Sequence, residues 1–140
     1  MVFRLFLDTN ILADHLLDRN PDSSRIFQMV EAGRILGFAS SASFFTLAYI
    51  IEKKLKLRAH PILQELNRML SVIPTHQSNL DQAYLSGFKD LEDAFQYYTA
   101  LNESNVDYFV SNNVKDFKTV LPKLPVVSST VLVKNLIKEI

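Results

Sequence analysis

The chain of 140 residues has no cysteine, no tryptophan and only three glycines, and its 15 basic residues balance 15 acidic ones. Without cysteine there is no disulfide framework and no thiolate metal site, which fits a reducing compartment such as the cytoplasm. So few glycines leave no glycine-rich loop to cradle phosphates. A hydrophobic content of 48% excludes disordered and fibrous classes. The balanced charge means that any nucleic acid must meet a local basic patch on a neutral molecule. Long apolar runs are missing too. The longest uncharged stretch, Ile35 to Ile51, carries the polar centre SSAS and falls short of the roughly 20 residues of a spanning helix. The start, MVFRLFLD, has a charge inside its apolar run and no small-residue cleavage site. Neither a signal peptide nor a membrane is therefore expected.

Short apolar runs at 2–7, 35–39, 72–74, 107–110 and 125–127 alternate with segments of helical period. Pro21-Asp22-Ser23 opens a helix with Asp22 as its cap and Gly33 as its stop. Ser40, Ser41 or Ser43 caps the next, which spaces Phe44, Leu47, Ala48, Ile51 and Leu55 along one face. His60-Pro61 begins another, Asn79 and Asp90 begin two more, and TVLVKNLIKEI closes the chain as a helix. Strands alternating with helices predict an α/β fold, a three-layer α/β/α sandwich with a central, mostly parallel sheet. No repeat or linker divides it, so one domain is expected over 1–140.

In such sheets ligands bind beyond the carboxyl ends of the strands. Asp8 stands there, directly after the apolar run FRLFL, and Ser111, Asn112 and Asn113 follow the strand 107–110. An isolated buried carboxylate is costly unless it is paired, hydrogen-bonded or metal-bound. Two further acids can converge on the same end. Asp93 lies in the first turn of DLEDAFQYYTA, at the edge of a stripe of Leu91, Ala94, Phe95, Tyr98 and Leu101. Asp116 precedes Phe117 in VSNNVKDF. Clustered carboxylates raise one another's pKa values, and a hard divalent cation removes the repulsion. Asp8, Asp93 and Asp116 are therefore candidate metal ligands. Asp90 and Asp93 also read as helix-start residues, and Asn10 reads as a cap in the strand-to-helix turn DTN.

FLDTNIL, DLEDAFQYYTA and VSNNVKDF occur in an order that resembles the PIN domain, specifically the short bacterial branch of VapC-like proteins. The resemblance implies a ribonuclease of single-stranded RNA dependent on Mg²⁺ or Mn²⁺, with Asp8, Asp93 and Asp116 as both catalytic and metal-binding residues. Asn10, Asn113, Ser111 and Asp90 would support them. It also implies a toxin role beside an antitoxin-like protein partner, and leaves room for a homodimer. Relatives place an acid early in the helix after the second strand. Here Thr46, Ala48 or Tyr49 stands near that place, and Glu52, one turn beyond Ala48, is the candidate substitute. If that acid is lost, a second class is open, a weak or inactive PIN-fold module that binds nucleic acid or protein. Arg19, Lys53, Lys54 and Lys115 are candidate contacts to the RNA backbone.

Overall fold

The computed structural model describes residues 2–103, 105–117 and 123–136. Its strands are β1 (Phe3–Leu7), β2 (Ile35–Ser40), β3 (Ser71–Ile73), β4 (Tyr108–Val110) and β5 (Val126–Val127). They form one sheet of order β3-β2-β1-β4-β5, and every pair in it is parallel. The helices are α1 (Thr9–Leu16), α2 (Pro21–Glu31), α3 (Ser41–Tyr49), α4 (Ala59–Met69), α5 (Gln77–Tyr84), α6 (Leu91–Leu101) and α7 (Ser129–Val131). π-helical turns prolong α3 through Ile50–Lys54 and α7 through Leu132–Leu136. The last four residues of the expected C-terminal helix lie outside the described residues.

The side-chain period of a strand is two, and the sequence uses it to build two different cores. In β1, Leu5 and Leu7 enter an aliphatic core with Ile11, Leu12, Ile26, Leu47 and Leu66 from α1 to α4. Phe6 points to the opposite face, where Phe38, Tyr97, Phe109 and Phe117 assemble an aromatic core under α6. There the Phe6 and Phe109 rings stack with centroids 5.4 Å apart. Each side chain fully buried in this way contributes about 1.5–3 kcal/mol. Gly37 in β2 admits the close approach of α4, because a Cβ there would meet Leu70 Cδ2 at 2.6 Å. Helices on both faces of a parallel sheet make the expected α/β sandwich.

Local details differ from the sequence reading. The cap of α2 is Asn20, whose side chain accepts from the N–H groups of Asp22 and Ser23, with Pro21 at the first helical position. Asp22 is freed to accept from Thr130 Oγ1. Gly33 ends that helix in a left-handed conformation, φ 77°. Ser40, the last residue of β2, caps α3 by accepting from Ala42 N–H. α5 begins two residues earlier than expected, with Asn79 inside it accepting from His76 N–H at 2.7 Å. α6 is rotated relative to the predicted stripe: Asp93, Ala94, Gln96, Tyr97 and Ala100 are buried, whereas Leu91 is exposed. Small residues allow α6 to lie close to the sheet, and Tyr97 fills the aromatic core. That rotation carries Asp93 inward.

Candidate metal centre

The strand order decides where the site lies. From β1 the chain steps to β2 and β3, then returns across the sheet to β4 on the other side of β1. The crevice at such a reversal, beyond the carboxyl ends of β1 and β4, is where open α/β sheets bind ligands.

Asp8 is the first residue beyond β1 and the N-cap of α1, in extended conformation, replacing Asn10 as the expected cap. Its side chain makes no cap hydrogen bond. The carboxylate reaches β4 instead: Ser111 Oγ donates to Asp8 Oδ2 at 2.9 Å, while Asp8 N–H donates to Val110 O at 3.0 Å. Asp8 is fully buried, and its Oδ1 has no hydrogen-bond partner. Burial, then the charge of Glu92, push its pKa up to about 7 against the pull of the Ser111 hydrogen bond.

Asp93 sits in the first turn of α6, where Asp90 is the cap and accepts from Asp93 N–H at 3.2 Å. With Asp90 in that role, Asp93 keeps its carboxylate for the crevice. It is buried, and its Oδ2 also lacks a partner. Burial and the neighbouring charges of Asp90, Glu92 and Asp116 raise its pKa to about 7. Glu92 completes the group from the rim. Thr9 Oγ1 lies 3.3 Å from Glu92 Oε1 and 2.6 Å from Ser43 Oγ, which in turn lies 3.4 Å from Gln96 Oε1. This polar chain ties α1, α3 and α6 together. Desolvation of its carboxyl and the charge of Asp90 hold the Glu92 pKa above the usual range.

One carboxylate oxygen from each of Asp8, Glu92 and Asp93 lies within 4.8 Å of the others. Opposite ligands of one octahedral Mg²⁺ are about 4.2 Å apart, given bonds near 2.1 Å, so small side-chain rotations close the ring. Hard oxygen donors, two of them buried without partners, fit a divalent cation of this kind. Beside the ring lies a cleft of about 400 Å³ that Glu92, Thr9 and Asn10 share with Arg19 and Lys54.

Residues 4–115 match the PIN domain. The chain belongs to the PIN domain family. No curated protein matches this PIN domain. Its fold is similar to that of a chain in a toxin–antitoxin complex from Klebsiella pneumoniae, at TM-score 0.66 and 20% identity over 89% of this chain and 97% of the other. It is likewise similar to a chain of VapBC2 from Rickettsia felis bound to a promoter DNA fragment, at TM-score 0.68 and 18% identity over 90% and 98%. FitAB bound to a DNA fragment gives TM-score 0.65 and 14% identity over 89% and 94%. Among the described residues no helix is long and apolar enough to cross a membrane.

Of the residues singled out in the sequence, the PIN fold brings Asp8 and Asp93 together, with Ser111 on Asp8 and Asp90 behind Asp93. Asn113 acts through its backbone, its N–H donating to Ser111 Oγ at 3.1 Å. Asp116 is exposed on the single turn of 3₁₀ helix Val114–Phe117, outside the ring but close enough to raise the Asp93 pKa. Glu52 is exposed on the π-helical turn after α3 and stands outside the ring. Asn10 is exposed at the mouth of the cleft. The sequence reading missed Glu92 and the Thr9–Ser43–Gln96 chain. A signal was present for Glu92: α6 has two acids in its first turn and no basic residue along its length.

Proposed function

We propose that this PIN domain is an endoribonuclease that hydrolyses phosphodiester bonds of single-stranded RNA with Mg²⁺ or Mn²⁺, as the cytoplasmic toxin of a toxin–antitoxin pair. One observation carries the reading. Asp8 Oδ1 and Asp93 Oδ2 are buried carboxylate oxygens without partners, in a ring of three acids at the sheet's reversal point. Asp8, Glu92 and Asp93 would hold the cation, with Asp116 reaching it through water. A bound cation of this class polarises the scissile phosphate and acidifies a water. Ser111 fixes one oxygen of Asp8 so that the other faces the crevice, and the Thr9–Ser43 pair steadies Glu92. Asn10, at the mouth of the cleft, would orient phosphate oxygens and water, and Asn113 would hold Ser111 in place through its N–H. Hydrolysis joins the water oxygen to phosphorus as the bond to the leaving oxygen breaks, and the leaving oxygen takes up a proton.

An antitoxin-like partner is supported by the source of the similar folds, each a toxin–antitoxin complex or a DNA-bound assembly. For a homodimer, the support is the exposed pair Phe45 and Tyr49, one turn apart on α3. A second reading has its own observation. Helix α3 brings to the site the hydroxyl of Ser43 rather than a carboxylate, which favours a weak or inactive binding module. One experiment decides. Single-stranded RNA should be cleaved with Mn²⁺, not in EDTA, and Asp8→Asn should lower the rate on the order of a hundredfold or more, the scale of losing one charge-stabilising group. Cleavage that persists in EDTA or in Asp8→Asn overturns the metal assignment. RNA binding with no cleavage under any metal leaves the binding module.

A further inference from the structure

Two clefts flank the acid ring, and they are chemically unlike. The first, about 400 Å³, begins at Glu92 and runs between α1 and the π-helical turn after α3. Its walls combine the apolar Leu17, Ile50 and Leu55 with the cations Arg19 and Lys54. The second, about 350 Å³, lies on the other side, between the start of α6 and the turn after β4. It is lined by Lys89, Asp90, Lys115 and Asp116 and has no apolar wall. Asp90 accepts a hydrogen bond from Asp93 N–H at 3.2 Å, so this cleft lies next to the ring, although no residue of the ring itself lines it. All four cations are exposed. Of these four, Arg19 is in an ion pair, with Asp14 at 3.0 Å, and Lys54, Lys89 and Lys115 are in none among the described residues.

We propose that single-stranded RNA crosses the acid ring between these clefts, and that the sequence preference of the enzyme is confined to one side of the scissile bond. The inference rests on the ribonuclease reading above and deepens it. On the α1 side a flanking nucleotide has an apolar wall for its base and Lys54 for its phosphate. On the α6 side it has Lys89 and Lys115, set beside Asp90 and Asp116 and without an apolar wall, and such lysines grip the backbone and carry no information about the base. A neutral protein thus has, on each side of the ring, lysines that are in no ion pair among the described residues, where the strand enters and leaves.

The test separates grip from base recognition and both from catalysis. Binding of a short single-stranded RNA is measured by fluorescence anisotropy in EDTA over a range of salt, so that no metal-driven cleavage intervenes. Lys54→Gln should flatten the plot of log affinity against log salt by about 0.7, and Lys89→Gln with Lys115→Gln by about 1.4, as one released counterion per contact requires. Cleavage-site preference is then read with Mn²⁺ on a randomised RNA. The wild type should select bases on one side of the cut only. Leu55→Ser should relax that selection while leaving the melting temperature and Mn²⁺ affinity unchanged, whereas the double lysine variant should raise KM without altering the preference. Selection on both sides of the cut, or a Lys89/Lys115 variant that binds with wild-type salt dependence, overturns the inference while the ribonuclease reading stands. No cleavage of any RNA with Mn²⁺ overturns the reading itself, and this inference with it.

Discussion

Two groups of charged residues in this protein share a carboxylate-rich make-up and differ in one partner. On the surface, Glu31 and Glu65 meet Arg68, whose Nη2 lies 2.9 Å from Glu31 Oε1. The guanidinium hydrogen bond holds the Glu65 carboxyl below its usual range. At the sheet end, Asp8, Glu92 and Asp93 are in no ion pair among the described residues, and burial with mutual repulsion holds Asp8 and Asp93 near 7. The surface group is complete as it stands, but water already solvates it, so it adds little to stability. The acid ring is incomplete, and a fold retains such a cost only where something else compensates it. Function is to be sought at the group whose charges the described residues leave unbalanced.

The largest expected effect is the pH dependence of the metal-free protein. A carboxyl whose pKa rises from 3.8 to about 7 on folding binds more protons folded than unfolded between those values. Stability therefore falls as pH rises through that window, and the loss is complete above about pH 7. For Asp8 the difference amounts to about 4 kcal/mol, at 1.36 kcal/mol per pH unit. Glu65 has the opposite sign, its contribution being lost as pH falls. Chemical denaturation of wild type and Asp8→Asn in EDTA, from pH 4 to pH 8, should show the variant gaining on the wild type as pH rises. Equal slopes would mean that Asp8 ionises freely.

Metal linkage comes next. At about 100 times its dissociation constant, Mn²⁺ should stabilise the wild type by roughly 2.7 kcal/mol. Asp8→Asn should lose most of that gain, and Arg68→Gln none of it, in thermal melts with and without the ion. Because protons and cation compete for the same carboxylates, the gain should grow as pH passes 7. A gain that survives Asp8→Asn would place the cation elsewhere.

Smaller, and with a sign that discriminates, is Asp93→Asn in EDTA. Relief of repulsion raises the melting temperature, while losing an acid near the start of α6 costs about 0.3–1 kcal/mol through the helix dipole. At pH 8, where Asp93 is ionised, the variant should melt higher than the wild type. A lower melting point would make Asp93 a helix-start residue first. The smallest effect belongs to Arg68→Gln: no resolvable change in melting temperature, activity or Mn²⁺ response. A measurable loss of activity there would break the contrast between the two groups.

Local sequence alone set the succession of strands and helices, because hydrophobic period is a local property: Leu5-Phe6-Leu7 alternates faces wherever it is placed. It also determined that Asp8 ends the first strand, and the three motifs carried the family. Packing over long separations decided the rest. Ser111 reaches Asp8 only because β4 returns to the far side of β1, a pairing across 103 positions that no local pattern encodes. The rotation of α6 put Asp93 and Gln96 inside and Leu91 outside, because Tyr97 and the small Ala94 and Ala100 fit the sheet better than the predicted stripe did. Glu92 joined the site through Thr9 of α1, a neighbour in space and not in sequence. Single acids and their helical spacing were legible; which three of them share one cation-sized space depended on how two helices and two strands dock.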